Sequence, residues 1–249
     1  MIIDYPAQEQ LPALRALWQE AFRDDDAFLN SFYDNAFAPD RCRCLTVEEQ
    51  TAAALYWFDC RCWDRPMAYL YAIATGKAFR GRGLCRLLME DTKKHLYSLG
   101  YAGILLVPAR GLFEMYQKMG YEACGGMAEF SCTAGEQPVP VRSVDAGEYA
   151  RLRRQLLPPG GVVQESENLS FLAAQAQLYA GEDFLLAAVG EEDTLTGLEL
   201  LGNSKAAPGI LTALGKKKGH FRTPGEMPFA MYCPLTECPR PAYFGLAFD

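Results

Sequence analysis

The residues with the clearest chemical potential form one short loop, Arg80-Gly81-Arg82-Gly83-Leu84-Cys85, here called the Arg-Gly loop. It follows an apolar, β-prone run at residues 69–75 and leads into a segment with apolar residues at helical spacing. Two glycines flank Arg82, so the backbone can turn sharply there and its N–H groups can converge on one point. Because the start of a helix also carries partial positive charge, this loop is a candidate phosphate site.

Two familiar kinds of phosphate-binding loop do not match these residues. A nucleotide-binding loop ends in Gly-Lys-Ser or Gly-Lys-Thr, and a dinucleotide fingerprint needs three spaced glycines. Neither pattern is present around Arg82. A Gly-x-Gly turn before a helix is also often only a connection, so the loop alone does not decide the chemistry.

A second pattern follows the predicted central helix. Residues 102–107 are typical of a strand, and residues 111–119 of a short helix that Gly120 ends. Within this segment Tyr116, Gly120 and Tyr121 have the spacing Tyr-x-x-x-Gly-Tyr. The order strand, loop, helix, strand and short helix gives both motifs a fixed place in one structural unit.

The two motifs together resemble those of the GNAT superfamily of acyl-CoA-dependent N-acyltransferases. Its signature is Arg/Gln-x-x-Gly-x-Gly/Ala after a strand, followed by a later Tyr-x-x-x-Gly-Phe/Tyr helix end. Arg80, Gly83 and Cys85 fill the first pattern, although Cys85 stands where the family usually has Gly or Ala. Many members also carry an Asn before the Tyr helix, where this sequence has residues 108–110.

The resemblance implies roles for these residues. The backbone N–H groups of the Arg-Gly loop would bind the pyrophosphate of coenzyme A. The strand that ends in Ile73, Ala74 and Thr75 would pair its backbone with the pantetheine arm. Tyr116 would donate a proton to the thiolate as it leaves. A packed aromatic on a short helix is the other interpretation of Tyr116.

The sequence offers no obvious proton acceptor for the amine substrate. Family members often use a Glu on the strand before the loop, but residues 69–75 contain no carboxylate. Asp59 is one candidate. The other is the carboxylate at Asp249, which a strand predicted at residues 243–248 would bring to the groove between the two halves of the chain.

The composition fits a globular protein of one large or two modest domains. The chain has 249 residues, half of them apolar, and a net charge of −7. The negative charge disfavours broad binding to nucleic acid or to anionic membranes. No basic leader or membrane-length apolar run is present, so we expect a cytoplasmic protein whose nine cysteines are reduced.

Two Cys-x-Cys pairs precede the Arg-Gly loop, Cys42 with Cys44 and Cys60 with Cys62. They lie in a predicted hairpin whose strands span residues 42–47 and 52–63. Pairing across the turn would set Cys44 near Leu55 and Cys42 near Trp57, which leaves the two pairs staggered by several residues. Because one tetrahedral zinc cannot bridge that stagger, we expect buried thiols and no metal site.

Two helices are predicted before this hairpin, one at residues 9–22 and a second that runs through Phe37. The run Asp24-Asp25-Asp26 precedes the second and is typical of a helix N-cap. In the GNAT superfamily these helices form one wall of the acceptor groove, so the aspartates could instead attract a substrate amine. Capping and solvation is the other role that these aspartates could have.

Residues 134–140 are rich in turn-forming residues and mark the best domain boundary. We predict a GNAT domain at residues 1–133, a linker at 134–140 and a second, smaller GNAT-like domain at 141–249. The second half repeats the order strand, helix, helix and hairpin, with its second helix at 167–179, but lacks an Arg-Gly loop, so it should not bind coenzyme A. The expected fold class is α/β (α+β), with a mixed, mostly antiparallel sheet flanked by helices.

These inferences predict an acetyl-CoA-dependent N-acetyltransferase, an acyltransferase that moves the acetyl group directly to a primary amine of a small molecule or peptide. No metal is expected. The alternative is a GNAT-fold module that binds acyl-CoA or docks a protein, with little turnover. The sequence identifies neither the acceptor nor the acyl chain, and it leaves a homodimer open.

Overall fold

The computed structural model describes residues 1–248, which divide into two compact units. Unit 1 contains Met1–Cys60, Asp64–Glu122 and Tyr232–Cys238. Unit 2 contains Arg61–Trp63, Ala123–Met231 and the chain from Pro239 onward. Each unit therefore takes residues from both halves of the sequence, and the predicted domain limits at 1–133 and 141–249 stay a prediction.

The sheet of unit 1 follows the chain in order. Its strands are β1 (Ile2–Asp4), β2 (Cys42–Val47), β3 (Gln50–Cys62), β4 (Arg65–Thr75) and β5 (Gly103–Leu106). The pairs β1–β2 and β2–β3 are antiparallel, whereas β4 and β5 are parallel because a helix connects them. The end of strand β13 (Met227–Pro234) lies beside β5, where the ring of Tyr232 occupies the space over Gly103.

Four helices accompany this sheet: α1 (Leu11–Phe22), α2 (Asp26–Asn35), α3 (Leu84–Ser98) and α4 (Phe113–Gln117). The Asp25 carboxylate accepts a hydrogen bond from the Phe28 N–H at 2.8 Å, which confirms the predicted N-cap of α2. The chain leaves α3 through Gly100, whose φ of 87° suits glycine. The predicted helices around the Arg-Gly loop therefore exist, although α4 is shorter than expected.

The core of unit 1 is built from apolar side chains on one face of each helix. Trp18 of α1 and Phe32 of α2 are almost fully buried, with ring centres 4.7 Å apart. Both rings also contact Tyr56 of β3. Burying a large apolar side chain contributes roughly 1.5–3 kcal/mol, so this aromatic cluster fixes α1 and α2 on the sheet.

Unit 2 contains further β-strands and three helices. Its strands are ordered β13, β6 (Glu122–Thr133), β12 (Lys218–Pro224), β11 (Thr194–Gly202), β10 (Phe184–Glu191), β9 (Gln177–Ala180) and β7 (Arg142–Ser143). The short strand β8 (Val163–Gln164) also belongs to unit 2. The helices are α5 (Ala146–Leu156), α6 (Glu167–Gln175) and α7 (Ala207–Ala213).

The two units share one order of elements. In unit 1 two helices separate β1 from β2, and α3 separates the parallel strands β4 and β5. In unit 2 two helices separate β7 from β9, and α7 separates the parallel strands β11 and β12. The other strand pairs are antiparallel. This confirms the predicted fold class and the internal repeat.

Two predicted elements of the second half are wrong. The helix expected at residues 167–179 ends at Gln175, because the next residues form β9, which pairs with both β10 and β7. The strand expected at residues 243–248 does not form. Tyr243 makes only an isolated bridge to Gly161, and the segment is buried as an irregular chain in the unit 2 core.

The cysteines are free thiols, and Cys44 pairs with Ala54 and Cys42 with Tyr56. A register shift after Leu45 moves this pairing one residue from the predicted one. Within residues 1–248, no three His, Cys, Asp or Glu side chains are grouped in a way that could hold a metal ion. None of the helices in this part of the chain has the length and apolar character needed to cross a bilayer.

Candidate active site

The Arg-Gly loop leads into α3 without a side-chain cap at the helix N-terminus. Gly83 is the N-cap residue with φ 75°, and Gly81 has φ 72°. A Cβ atom at either glycine would meet nothing within 4 Å, and no side chain caps the helix. The first N–H groups of α3 therefore lack an acceptor among the described residues, and they provide the donors that a phosphate needs.

Three arginines in and beside this loop carry positive charge without a carboxylate partner within 4 Å among residues 1–248. Arg80 donates to the Thr75 carbonyl at 3.0 Å, and Arg86 donates to the Lys118 carbonyl at 3.3 Å. Arg82 lies over the ring of Phe79, with 5.6 Å from its Cζ to the ring centre. These contacts hold the guanidinium groups without neutralising them, so the site stays positive in an acidic protein.

The end of β4 provides an open strand edge. The register between β4 and β5 runs from the pair Met67 and Gly103 to the pair Leu70 and Leu106. β4 itself continues to Thr75, so Ile73, Ala74 and Thr75 lie beyond its contact with β5. An extended ligand with amide groups can pair with such an edge as an added strand does.

One feature of β4 has no sequence signature. Ala72 has φ 47°, a left-handed conformation that is uncommon for a residue with a side chain and that interrupts the regular strand. It lies two residues after Leu70, the last residue of β4 that pairs with β5. Only a glycine at this position would have signalled the distortion.

Tyr116 lies in α4 and is only 5% exposed. Its hydroxyl makes no hydrogen bond to any of residues 1–248. Burial raises the pKa of the Tyr116 phenol above its ordinary value of 10.0, and the thiol of Cys85 adds to the increase. The phenol is therefore protonated at neutral pH and lies near the first turn of α3, which makes it suitable as a proton donor.

Of the two predicted proton acceptors, Asp59 and Asp249, the structure describes only Asp59. Asp59 accepts hydrogen bonds from the Tyr101 hydroxyl and, at 3.4 Å, from Arg41. These contacts engage the Asp59 carboxylate with a guanidinium and a phenol, and its role as proton acceptor stays a prediction. Asp249 lies outside the described residues.

Comparison with known protein families identifies the fold around these groups. The family model of the acetyltransferase (GNAT) domain matches residues 3–124. Residues 3–124 form a GNAT acetyltransferase domain. This GNAT domain contains the Arg-Gly loop, the open edge of β4 and Tyr116, and it indicates an acyltransferase. No curated protein sequence matches the chain.

Solved structures extend the likeness beyond the GNAT domain. A GCN5-related N-acetyltransferase from Kribbella flavida is 19% identical with TM-score 0.72, over 93% of this chain and 70% of that one. A second GCN5-related N-acetyltransferase, from Anabaena variabilis ATCC 29413, is 16% identical with TM-score 0.76, over 95% of this chain and 73% of that one. Eis1 from Mycobacterium abscessus is 12% identical with TM-score 0.68, over 94% of this chain and 74% of that one. At these identities the likeness shows a shared fold, and that fold includes residues of both units.

The position in unit 2 that corresponds to the Arg-Gly loop is sterically crowded, and a side chain caps its turn. A Cβ atom at Gly202 would lie 2.2 Å from the Asp183 carbonyl oxygen. The Asn203 side chain accepts the Lys205 N–H at 3.1 Å and so caps this turn. Unit 2 therefore lacks the open amides that the GNAT domain offers at the start of α3.

Proposed function

We propose that this protein is an N-acetyltransferase that moves an acetyl group from acetyl-CoA directly to a primary amine. The observation that carries the proposal is Tyr116, a buried and protonated phenol with no hydrogen-bond partner among residues 1–248, near the first turn of α3. A purely structural tyrosine would gain stability from a partner for its hydroxyl. A general acid needs its proton available for the substrate.

The residues around the Arg-Gly loop fit coenzyme A. Free N–H groups at the start of α3 and the charge of Arg80 and Arg82 suit a pyrophosphate. The backbone of Ile73, Ala74 and Thr75 suits the two amides of the pantetheine arm. The cosubstrate supplies a thioester, whose carbonyl carbon accepts the amine.

Tyr116 completes the transfer in this proposal. The amine nitrogen forms a bond to the thioester carbon, and the carbon–sulfur bond breaks. The departing sulfur takes the proton of the Tyr116 hydroxyl, and the phenol is restored from solvent. The proton that the amine loses goes to a carboxylate, which we assign to Asp249 as part of the same proposal.

The experiment compares the wild type with Tyr116→Phe in an assay of free thiol released from acetyl-CoA with a panel of small amines, amino acids, aminoglycosides and peptides. We expect kcat to fall by about 10–100-fold, within the range of proton-transfer catalysis, while acetyl-CoA affinity stays unchanged. The matched control is Tyr97→Phe, because Tyr97 lies on α3 with 60% of its side chain exposed. Equal turnover in all three proteins would contradict the role of Tyr116.

The bonding of Asp59 favours one alternative function. With that carboxylate held by Arg41 and Tyr101, the protein would be a GNAT-fold module that binds acyl-CoA or docks a protein with little turnover. Saturable acetyl-CoA binding without thiol release for any amine in the panel would support this alternative. Thiol release that depends on Tyr116 would exclude it.

A further inference from the structure

Helix α4 carries the proposed acid Tyr116 and is too short to be stable by itself. It spans Phe113–Gln117, whereas an isolated helix shorter than about 12 residues is marginal in water. Beyond it the chain turns back at Gly120, which has φ 85°, and the Tyr121 N–H donates to the Tyr116 carbonyl at 3.1 Å. The position of Tyr116 therefore depends on contacts between α4, this turn and the rest of the GNAT domain.

Two cations on α3 bind the carbonyl groups at the end of α4. Arg86 donates to the Lys118 carbonyl at 3.3 Å, and Lys93 donates to the Met119 carbonyl. Carbonyls at a helix end lack intrahelical partners and carry partial negative charge, so cations stabilise them. Arg86 and Lys93 lie about two turns apart on α3, which places them on one face of that helix. The helix that starts at the Arg-Gly loop therefore also holds the end of α4.

Lys93 is the more enclosed of these two cations. Its side chain is 14% exposed, and its ammonium nitrogen also bonds Glu90 at 3.1 Å. The same nitrogen lies 5.1 Å from the centre of the Tyr121 ring. That ring packs against the ring of Tyr116, with centres 5.8 Å apart and planes at 69°. One ammonium group thus contacts both the backbone after α4 and the ring beside the proposed acid.

Filling the space around Lys93 does not require a charge. A methionine side chain would occupy a similar volume without the cost of taking an ammonium group out of water. What the ammonium group adds is directed bonding, which fixes the turn after α4 in one position. A proton donor has to lie within hydrogen-bond reach of the departing sulfur, and a misplacement of about 1 Å can cost about 100-fold in rate.

We propose that Lys93 is a positioning residue for the acetyl transfer. Through the Met119 carbonyl and the Tyr121 ring it holds α4 so that the Tyr116 hydroxyl reaches the thioester sulfur. The proposal rests on the proposed function, and Lys93 itself neither gives nor takes a proton. It lies about two turns beyond the first turn of α3, so its loss leaves the N–H groups proposed for the pyrophosphate in place.

The test is Lys93→Met in the full chain, measured for kcat, acetyl-CoA affinity and thermal unfolding. We expect kcat to fall about tenfold at a temperature where the variant is folded, with acetyl-CoA affinity unchanged. A purely structural role predicts a lower unfolding midpoint with a normal kcat for the folded protein. That result would overturn the proposal.

Further variants test the charge and the fold. Lys93→Arg keeps a positive charge and N–H donors, so it should recover most of the lost kcat, and a kcat as low as that of Lys93→Met would overturn the proposal. The matched control is Lys94→Met, an exposed neighbour on α3 that should keep a normal kcat. If Lys93→Met does not fold, Lys93→Gln takes its place, because a neutral amide suits the polar surroundings of Glu90. Normal kcat in Lys93→Gln would then overturn the proposal.

A double variant separates this proposal from the proposed function. If Lys93 acts through Tyr116, then Lys93→Met/Tyr116→Phe is no slower than Tyr116→Phe alone, whereas independent effects would multiply and overturn the proposal. Normal kcat in Tyr116→Phe would instead overturn the proposed function. A slow Tyr116→Phe together with a normal Lys93→Met would overturn the positioning role alone.

Discussion

Leu70 on β4 lies opposite Leu106 on β5, and the register between these parallel strands ends at this pair. β4 continues to Thr75, with Ala72, two residues beyond Leu70, in a left-handed conformation. Helix α3 then starts without a side-chain cap, close in sequence to the end of that strand. The GNAT domain thus presents an open strand edge and open helix amides in succession, one for each chemical part of coenzyme A that we propose it binds.

Hydrogen exchange tests the open edge of β4. We expect acetyl-CoA to slow amide exchange in residues 71–75, because a pantetheine arm paired with the strand would protect N–H groups that are now open. The control is residues 198–202, which end the corresponding strand β11 of unit 2. No slowing at 71–75, or equal slowing at both places, would contradict the assignment.

The dependence of kcat on pH tests the protonation of Tyr116. Its contribution as an acid is present while the phenol is protonated and is lost only as the pH rises through its raised pKa. We expect no decline in kcat that depends on Tyr116 between about pH 7 and about pH 10, below the ordinary phenol pKa. A decline in kcat in that interval that disappears in Tyr116→Phe would contradict the claim that the Tyr116 phenol stays protonated there.

The role of Asp25 separates helix capping from attraction of the substrate amine. Asp25→Ala removes the acceptor of the Phe28 N–H and should cost about 1 kcal/mol in the free energy of unfolding. Asp25→Asn keeps a capping oxygen and should leave both stability and the KM for the amine unchanged. A raised amine KM in the Asn variant, which keeps the cap and lacks only the charge, would indicate that the charge itself binds the acceptor.

A buried ion pair in unit 2 gives the sharpest prediction about stability. Arg153 and Glu199 are 1% and 0% exposed and form two hydrogen bonds, at 2.7 and 2.9 Å. The hydroxyls of Tyr149 and Tyr243 each donate to Glu199 at 3.0 Å. Every oxygen of this carboxylate is therefore bonded, which offsets the cost of burying charge.

Arg153→Met should lower the free energy of unfolding of unit 2 by about 3–5 kcal/mol, because it leaves a buried carboxylate without its cation. Arg153→Met/Glu199→Leu should recover much of that loss. Denaturant titration measures the free energy of unfolding of the single and the double variant. Arg154→Met serves as the control because the Arg154 side chain is 60% exposed. A single variant as stable as the control would contradict the account of this network.

Sequence patterns predicted most of the GNAT domain because its turns depend on glycine. Gly83 and Gly100 both have positive φ, and they mark the start and the end of α3 in the sequence and in the structure. Asp25 likewise marked the start of α2. Tyr116 was found only through its spacing from Gly120, since a single aromatic on a short helix carries no chemical signal of its own.

The features that sequence reasoning missed depend on long-range packing. An alanine gives no warning of positive φ, so the distortion at Ala72 was invisible. Residues 243–248 are a short apolar run typical of a strand. Their backbone bonds go instead to the turn around Gly160 and to the Gln164 side chain, which bonds the Leu246 carbonyl at 2.7 Å. The buried ion pair joins Arg153 to Glu199 across distant elements, which no local pattern could predict.

Binding of acetyl-CoA at the Arg-Gly loop is the central claim, and calorimetric titration tests it most directly. The wild type is compared with Gly83→Trp and with the matched control Gly100→Trp. Both glycines have positive φ and open space around a Cβ, so both variants carry similar backbone strain at opposite ends of α3. We predict saturable binding by the wild type and by Gly100→Trp, and none by Gly83→Trp. No binding by the folded wild type, or equal binding by all three proteins, would contradict the claim.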